Sequence, residues 1–374
     1  MLAILMAALA VLGGLGFYLA RRLHQALTLF FPRLPFWPVL ALLLVLTAVL
    51  AGGFLRSLLP VPQGVRDALG VISAYWMGLW VYLVLFTLGA DALRLVLRAV
   101  LNTDPARLRG VCALAAAAAA LITAGAGFFH AQRINHVTYD IHVGMEQPMT
   151  VLLISDLHLG AVGSEGRLEA VVEQINSREP ELICIAGDIF DSDFGAIRDP
   201  EAAAAALGSL RAKYGVYACL GNHDAGATAE KMVDFLHRCG IRLLSEEAVT
   251  VDDRLILIGR ADARPIGSSG TTPRGQLQDF FRREDISLPV IVLDHNPAYY
   301  DEYGPQADLI LSGHTHRGQI FPGSLITGEL YAADYGHYQP TPADPHLVVT
   351  SGVAWWGMPM RLGTDCEIVT VHLG

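Results

Sequence analysis

Four apolar stretches, at about residues 1–20, 36–55, 69–90 and 110–129, constrain this 374-residue chain more than anything else in it. A helix needs roughly 20 predominantly apolar residues to cross the hydrocarbon layer of a bilayer. At that depth lipid offers the backbone no hydrogen-bond partner, so a single span has no alternative to a helix. An all-α N-terminal transmembrane anchor with four helices is therefore expected over residues 1–133. The first stretch does not read as a secretory signal: nothing basic precedes it, it is long for such a region, and Arg21-Arg22 follow it directly. None of the four carries an ionisable group near its centre, which a transport pathway normally needs, so they read as an anchor.

Charge separates the anchor from the remainder of the chain. Residues 1–133 hold ten arginines against three acids, Asp67, Asp91 and Asp104, while residues 134–374 hold 16 basic and 33 acidic residues. A domain that acidic repels phosphate backbones, whose binding rests on Lys and Arg, so no nucleic acid partner is expected. Arginines in short loops tend to remain cytoplasmic. Arg21, Arg22 and Arg33 lie between the first and second stretches, and Arg94, Arg98, Arg107 and Arg109 between the third and fourth, against Arg56 and Arg66 in the middle loop. That bias puts everything after residue 130 on the extracytoplasmic side. The five cysteines, Cys112, Cys184, Cys219, Cys239 and Cys366, contain no CxxC spacing, so neither a disulfide framework nor a zinc cluster is indicated.

After a polar hinge around residues 130–136, short apolar runs alternate with helical patterns. The runs at 151–154, 182–186, 216–220, 255–258, 290–293 and 309–311 read as buried strands, and helices fit about 165–177, 200–213, 229–239 and 273–283. An α/β domain over residues 134–374 is expected from this alternation. Late strands at 347–350 and 367–372 have no helix between them, so part of the sheet is expected to be antiparallel. The stretch 321–345, with Tyr331, Tyr335, His337 and Tyr338 among prolines, reads as a long irregular loop of the kind that carries specificity.

Polar residues gather immediately after these strands, where ligands of α/β sheets bind. The first strand runs into Ser155-Asp156-Leu157-His158, the second into Gly187-Asp188 and the third into Gly221-Asn222-His223-Asp224. Later strands run into Asp294-His295-Asn296 and Ser312-Gly313-His314-Thr315-His316. Each fragment alone is common, since a Gly-Asp is usually a turn and a lone buried His is usually structural. Together, Asp156, His158, Asp188, Asn222, His295, His314 and His316 offer mixed oxygen and imidazole donors. Such a set suits Mn, Fe or Zn better than Ca, which prefers oxygen throughout. Seven donors exceed one ordinary site. A carboxylate shared between two ions, for which Asp188 is the natural choice, would let them sit roughly 3.5–4 Å apart.

The ordered set Asp156-x-His158, Gly187-Asp188, Gly221-Asn222-His223-Asp224, His295 and Gly313-His314-x-His316 resembles the calcineurin-like metallophosphoesterase superfamily, in a membrane-anchored bacterial branch, over about residues 149–373. The resemblance implies two mixed β-sheets sandwiched between helices. It implies that Asp156, His158 and His316 hold one of two divalent metal ions, that Asn222, His295 and His314 hold the other, that Asp188 bridges them, and that His223 is catalytic. Attack by a hydroxide between the ions would then expel an alkoxide to which His223 gives a proton, a general-acid contribution of roughly 10²–10⁴ in rate. Asp224 or Asp191 would orient that imidazole, with plain loop capping an equal reading for Asp224.

Departures narrow the class. Ser192-Asp193 come after Asp191 where protein Ser/Thr phosphatases place Arg-Gly, so a protein phosphatase is not expected. The closing segment, with Trp355, Trp356 and Arg361, is similar to a loop of membrane-associated and exported members. Its tryptophans would wall the substrate and Arg361 would bind a phosphate oxygen, or they would be core aromatics and a surface arginine. The expected function is a membrane-anchored hydrolase of a phosphomonoester or phosphodiester, belonging to a membrane lipid or envelope component. The anchor raises the effective concentration of the site against such bilayer-confined substrates. The expected location is a bacterial inner or plasma membrane, multi-pass. Two alternatives stay open: a cytoplasm-facing hydrolase resembling the UDP-diacylglucosamine pyrophosphatase, and a non-enzymatic membrane receptor that retains the metal site.

Overall fold

Lack of a hydrogen-bonding solvent drives each apolar stretch into one continuous helix. The computed structural model describes residues 2–101, 103–163, 165–267, 272–276, 280 and 287–374. Its first four helices are α1 (Leu2–Leu27), α2 (Phe36–Phe54), α3 (Gln63–Val100) and α4 (Pro105–His130), all long and apolar enough to cross a membrane. Prolines mark their starts: Pro35 and Pro62 precede α2 and α3, and Pro105 opens α4, where a missing N–H costs no hydrogen bond. At 38 residues, α3 outruns its apolar stretch at both ends and reaches about 57 Å, well beyond a hydrocarbon layer.

Small residues let these helices approach. A Cβ on Gly53 would lie 2.2 Å from Ser73 Cβ, and one on Gly16 would lie 2.6 Å from Thr47 Oγ1. Close backbone approach of this kind is how spans pack when lipid is as apolar as their side chains. Asp91 of α3 accepts from Tyr18 at 2.7 Å and pairs with Arg22 of α1 at 2.7 Å. The chain divides into two units, one holding residues up to Phe129 with Gly357–Met360, the other His130–Trp356 with Arg361–Gly374.

In the second unit the strands alternate their apolar residues between two faces, as the period of two requires. Among the described residues, two six-stranded mixed sheets form. The first is ordered β1 (Ile134–Ile141), β12 (Cys366–Leu373), β2 (Met149–Ile154), β3 (Leu182–Ala186), β4 (Val216–Cys219), β5 (Arg242–Leu243). The second is ordered β10 (Gly336–Tyr338), β11 (His346–Val349), β9 (Leu309–Ser312), β8 (Val290–Leu293), β7 (Leu255–Gly259), β6 (Glu247–Val251). Val151 and Leu153, Leu182 and Cys184, Leu255 and Leu257, Ile291 and Leu293, and Leu309 and Leu311 form the layer between the sheets. The intervening Leu152, Ile154, Ile183 and Ile185 pack outward, against α5 (Glu165–Asn176), α6 (Pro200–Leu207) and α7 (Ala229–Arg238). On the far side, Ile256, Ile258, Val290 and Val292 pack with Tyr300 and Tyr303. β2, β3 and β4 run parallel, as do β7, β8, β9 and β11. The carboxyl ends of β2–β4, and likewise of β7–β9, therefore share one edge of their sheet.

Several expectations change. The alanine-rich helix expected to reach residue 213 stops at Leu207, where the chain tightens into i→i+3 bonds, Ser209 N–H donating to Ala206 O and Leu210 N–H to Leu207 O. The expected antiparallel pairing of the late strands is present, β12 with β2 and β11 with β10, while β11 is parallel to β9. The hinge expected at 130–136 instead passes into β1, whose His136, Thr138 and Asp140 turn away from the core along an outer strand. The stretch 321–345 is not wholly irregular, since it holds α8 (Gly323–Leu330) and β10. The helix expected at 273–283 falls largely outside the described residues.

Leu153 is fully buried between the sheets. Leu153→Ala should destabilise the second unit by about 2–5 kcal/mol, read as a lower urea midpoint. Lys213→Ala, at an exposed ion pair, should change it by less than about 0.5 kcal/mol.

Candidate metal centre

Five strand ends deliver the site. Asp156 and His158 follow β2, Asp188 follows β3, Asn222 and His223 follow β4, His295 follows β8, and His314 and His316 follow β9. To point inward from such short turns, Asp156, His158, Asp188, His314 and His316 adopt φ of 57°, 45°, 50°, 73° and 49°. Non-glycine residues rarely occupy that region, and each costs of order 1–3 kcal/mol. Neighbouring turns hold them there: Asp156 N–H donates to Gly187 O and His158 N–H to Asp188 O, both at 3.0 Å. Two glycines make room. A Cβ on Gly221 would lie 2.2 Å from Asp188 Oδ1, and one on Gly313 would lie 2.5 Å from Asp156 Oδ2.

The donors converge in two triads. Asp156, His158 and His316 form one and Asp188, His295 and His314 the other, with ligand atoms within 4.8 Å of one another in each. Asp188 Oδ2 lies 3.2 Å from His295 Nε2 and 3.8 Å from His158 Nε2, so one carboxylate faces both. Its Oδ1 accepts from His223 N–H at 2.8 Å. His158 Nε2 and His316 Nε2 stand 3.1 Å apart, and His314 Nδ1 and His295 Nε2 3.2 Å apart. His295 Nδ1 donates to Ala186 O at 2.8 Å, which fixes that ring and turns Nε2 inward.

These residues fit a pair of cations. Among the described residues, buried Asp156 Oδ1, 3.3 Å from His316 Nε2, and buried Asn222 Oδ1 accept no hydrogen bond, although buried oxygens are otherwise almost always satisfied. Burial pushes His158 and His314 down to about 3, and burial with the Arg361 charge lowers His316, so all three present neutral lone pairs. Burial raises Asp156 to about 6. Burial alone would lower His295, but the Asp188 and Asp156 carboxylates override it and raise the group. Burial likewise opposes ionisation of Asp188, and His295 overrides that and holds it well below the usual range.

His223 is half-buried beside the first triad, its ring 5.1 Å from that of His158. Its Nδ1 is 2.8 Å from Ser192 Oγ and 3.8 Å from Asp191 Oδ1. In the sequence Ser192 marks only a departure from the protein phosphatases; as a partner of His223 it carries no distinguishing signal there. Asp224 does not orient His223. Its buried carboxylate accepts from Ile189, Phe190 and Gly221 N–H at 3.2, 2.8 and 2.9 Å, tying the turn after β3 to the turn after β4.

The closing segment divides. Trp355 is buried, with the Arg167 guanidinium 5.0 Å over its ring, and does not wall the site. Trp356 is 42% exposed and its ring lies 5.9 Å from His223. Arg361 is fully buried, not a surface residue. Its guanidinium donates to His316 O, Ser351 O and Ala354 O, with Nη2 also 3.1 Å from His316 Nδ1. It braces a candidate ligand instead of reaching for phosphate.

Metal uptake should release protons, because the Asp188 and Asp156 carboxylates raise His295 and burial raises Asp156. Affinity should therefore strengthen as pH rises from 6 to 8, about tenfold per unit for each proton displaced. Titration calorimetry in two buffers of different ionisation enthalpy measures this, and Asp188→Asn should lower bound metal by mass spectrometry.

Residues 149–318 match the family model described as calcineurin-like phosphoesterase. An "Uncharacterized metallophosphoesterase" of Aquifex aeolicus is 30% identical over 249 residues, covering 66% of this chain and 92% of that protein. One of Helicobacter pylori, with the same description, is 27% identical over 61% of this chain and 60% of its own length. A bovine (Bos taurus) "Transmembrane protein with metallophosphoesterase domain" is 31% identical over 60% of this chain and 53% of its length. The motif order, the two facing triads and these likenesses agree: the chain belongs to the calcineurin-like metallophosphoesterases, hydrolases of phosphoric esters.

Proposed function

We propose that residues 1–133 anchor, and residues 134–374 constitute, a dinuclear metal-dependent phosphoesterase that cleaves a phosphomonoester or phosphodiester of a membrane lipid or envelope component. The observation that carries the reading is Asp188 Oδ2, 3.2 Å from one imidazole cluster and 3.8 Å from the other. Asp156, His158 and His316 would hold one ion, Asn222, His295 and His314 the second, with Asp188 common to both; Mn, Fe and Zn all suit these donors. When bound, two such ions supply charge neutralisation for the phosphoryl oxygens and a lowered pKa for water.

The chain's own residues supply the rest. Ser192 holds His223 by Nδ1, which leaves Nε2 to give a proton to the departing alkoxide; Asp191 Oδ1 stands 3.8 Å from the same Nδ1. Trp356 flanks the imidazole. Asp224 and Arg361 act at one remove, by fixing the turns that carry Asp188, His223 and His316. The arginine bias of the loops supports an extracytoplasmic site in a bacterial inner or plasma membrane.

With Mn added, the purified chain should hydrolyse bis-p-nitrophenyl phosphate. His223→Ala should lower kcat about 10²–10⁴-fold with metal content unchanged. Absence of turnover with every divalent metal tried would overturn the reading in favour of a receptor. A fluorescent protein that is dark in the periplasm, fused after Gly374, should stay dark; a bright fusion would place the site in the cytoplasm.

A further inference from the structure

A cleft of about 390 Å³ opens beside the second triad, its lining including Asn222, Arg264, Asn296, Tyr299, His314 and Tyr331. That volume is within the range of about 300–1,000 Å³ usual for small-molecule sites. Arg264 is exposed, and among the described residues its guanidinium has no hydrogen-bond or ion-pair partner; only its backbone N–H is engaged, by Asp262. An open guanidinium facing the same space as two candidate metal ligands is suited to the oxygens of a phosphate.

The other boundary of the cleft is apolar. Leu330, the last residue of α8, lines it next to Tyr331. No residue of α8 is buried, and Leu325, Ile326 and Leu330 are 62%, 61% and 71% exposed. Single exposed apolar residues need no explanation, but a group of them at the mouth of a site marks a binding surface. An eight-residue helix does not hold itself together in water, and this one is tied to the metal-ligand turn. Thr327 Oγ1 donates to Asp334 Oδ2, and Thr315, between His314 and His316, donates to Asp334 O, both at 2.6 Å. The apolar helix is thus held at a fixed place relative to His314.

We propose that the cleft and α8 together bind one amphiphilic phosphoester. Its anionic head lies between the second triad and Arg264, and its alkyl or acyl chain runs along Leu330, Ile326 and Leu325. Continuity chooses this occupant, since Leu330 belongs both to the cleft and to the apolar helix. The inference rests on the phosphoesterase reading above and names the substrate class of that site.

The test uses the full chain in nanodiscs, a series of n-alkyl p-nitrophenyl phosphates from methyl to octyl, and the metal that supports turnover. A chain covered on one side should gain about twofold in kcat/KM per methylene, or about 100-fold from methyl to octyl. Leu325→Ser/Ile326→Ser/Leu330→Ser should reduce that ratio to below about tenfold. Arg264→Ala should raise KM about tenfold along the whole series and leave the ratio in place. Independently of turnover, a diazirine-bearing decyl phosphate should photolabel residues 321–331, and excess decyl phosphate should remove the label.

A flat series with the methyl ester still hydrolysed would overturn this proposal alone. A steep series that survives in the triple variant would mean partition into the bilayer, and would overturn it too. Equal labelling by a phosphate-free diazirine would assign α8 to bulk lipid, and a photo-cross-linked dimer through 321–331 would assign it to a second copy; either result overturns it. Failure of every ester with every metal would remove the phosphoesterase reading itself.

Discussion

A carboxylate facing two sets of imidazoles is the constraint on which the rest of the second unit depends. Ionised Asp188 is buried at the edge of an apolar layer, where an isolated charge would be prohibitively costly. His295, approaching from the other sheet, makes its charge tolerable. The two sheets must therefore meet at a set separation, and that separation is the thickness of the layer built from Leu153, Leu182, Leu293 and Leu311. Residues that only pack in the middle of these strands decide, a few positions later, where the ligands end up.

The turns that carry those ligands run against local preference. Five donors occupy left-handed backbone, and turns of that kind persist only where surroundings over-determine them. Asp224 supplies part of that determination by capping three backbone N–H groups from two loops at once. Burial and the nearby Asp188 charge raise its carboxyl to about 7. Its role is structural in contact and functional in consequence, since it spaces Asp188 from His223.

Much of this is legible in the sequence alone. The order of Asp, His and Gly motifs after apolar runs points to the six side chains that the structure gathers into two triads, because donor chemistry and strand ends are both visible in one dimension. Burial is not. Arg361 reads as a phosphate contact or a surface cation and is fully enclosed; Trp355 and Trp356 are adjacent letters with opposite surroundings. Ser192 acquires meaning only when the turn after β4 brings His223 to it. β1 and β10 escape notice because strands at the rim of a sheet keep one polar face and lose the apolar run that announces central strands.

The pairing of β1 with β12 has a consequence for how this chain is made. Ile134 sits opposite Cys366 and Ile141 opposite Leu373, while β12 is also what covers the flank of β2. During synthesis, therefore, β2 emerges with an open edge and keeps it until β12, more than 200 residues later, has left the ribosome. Partners so distant in sequence meet slowly, and an unprotected edge invites pairing with another chain. Only when β12 slots between β1 and β2 is that flank of the sheet closed.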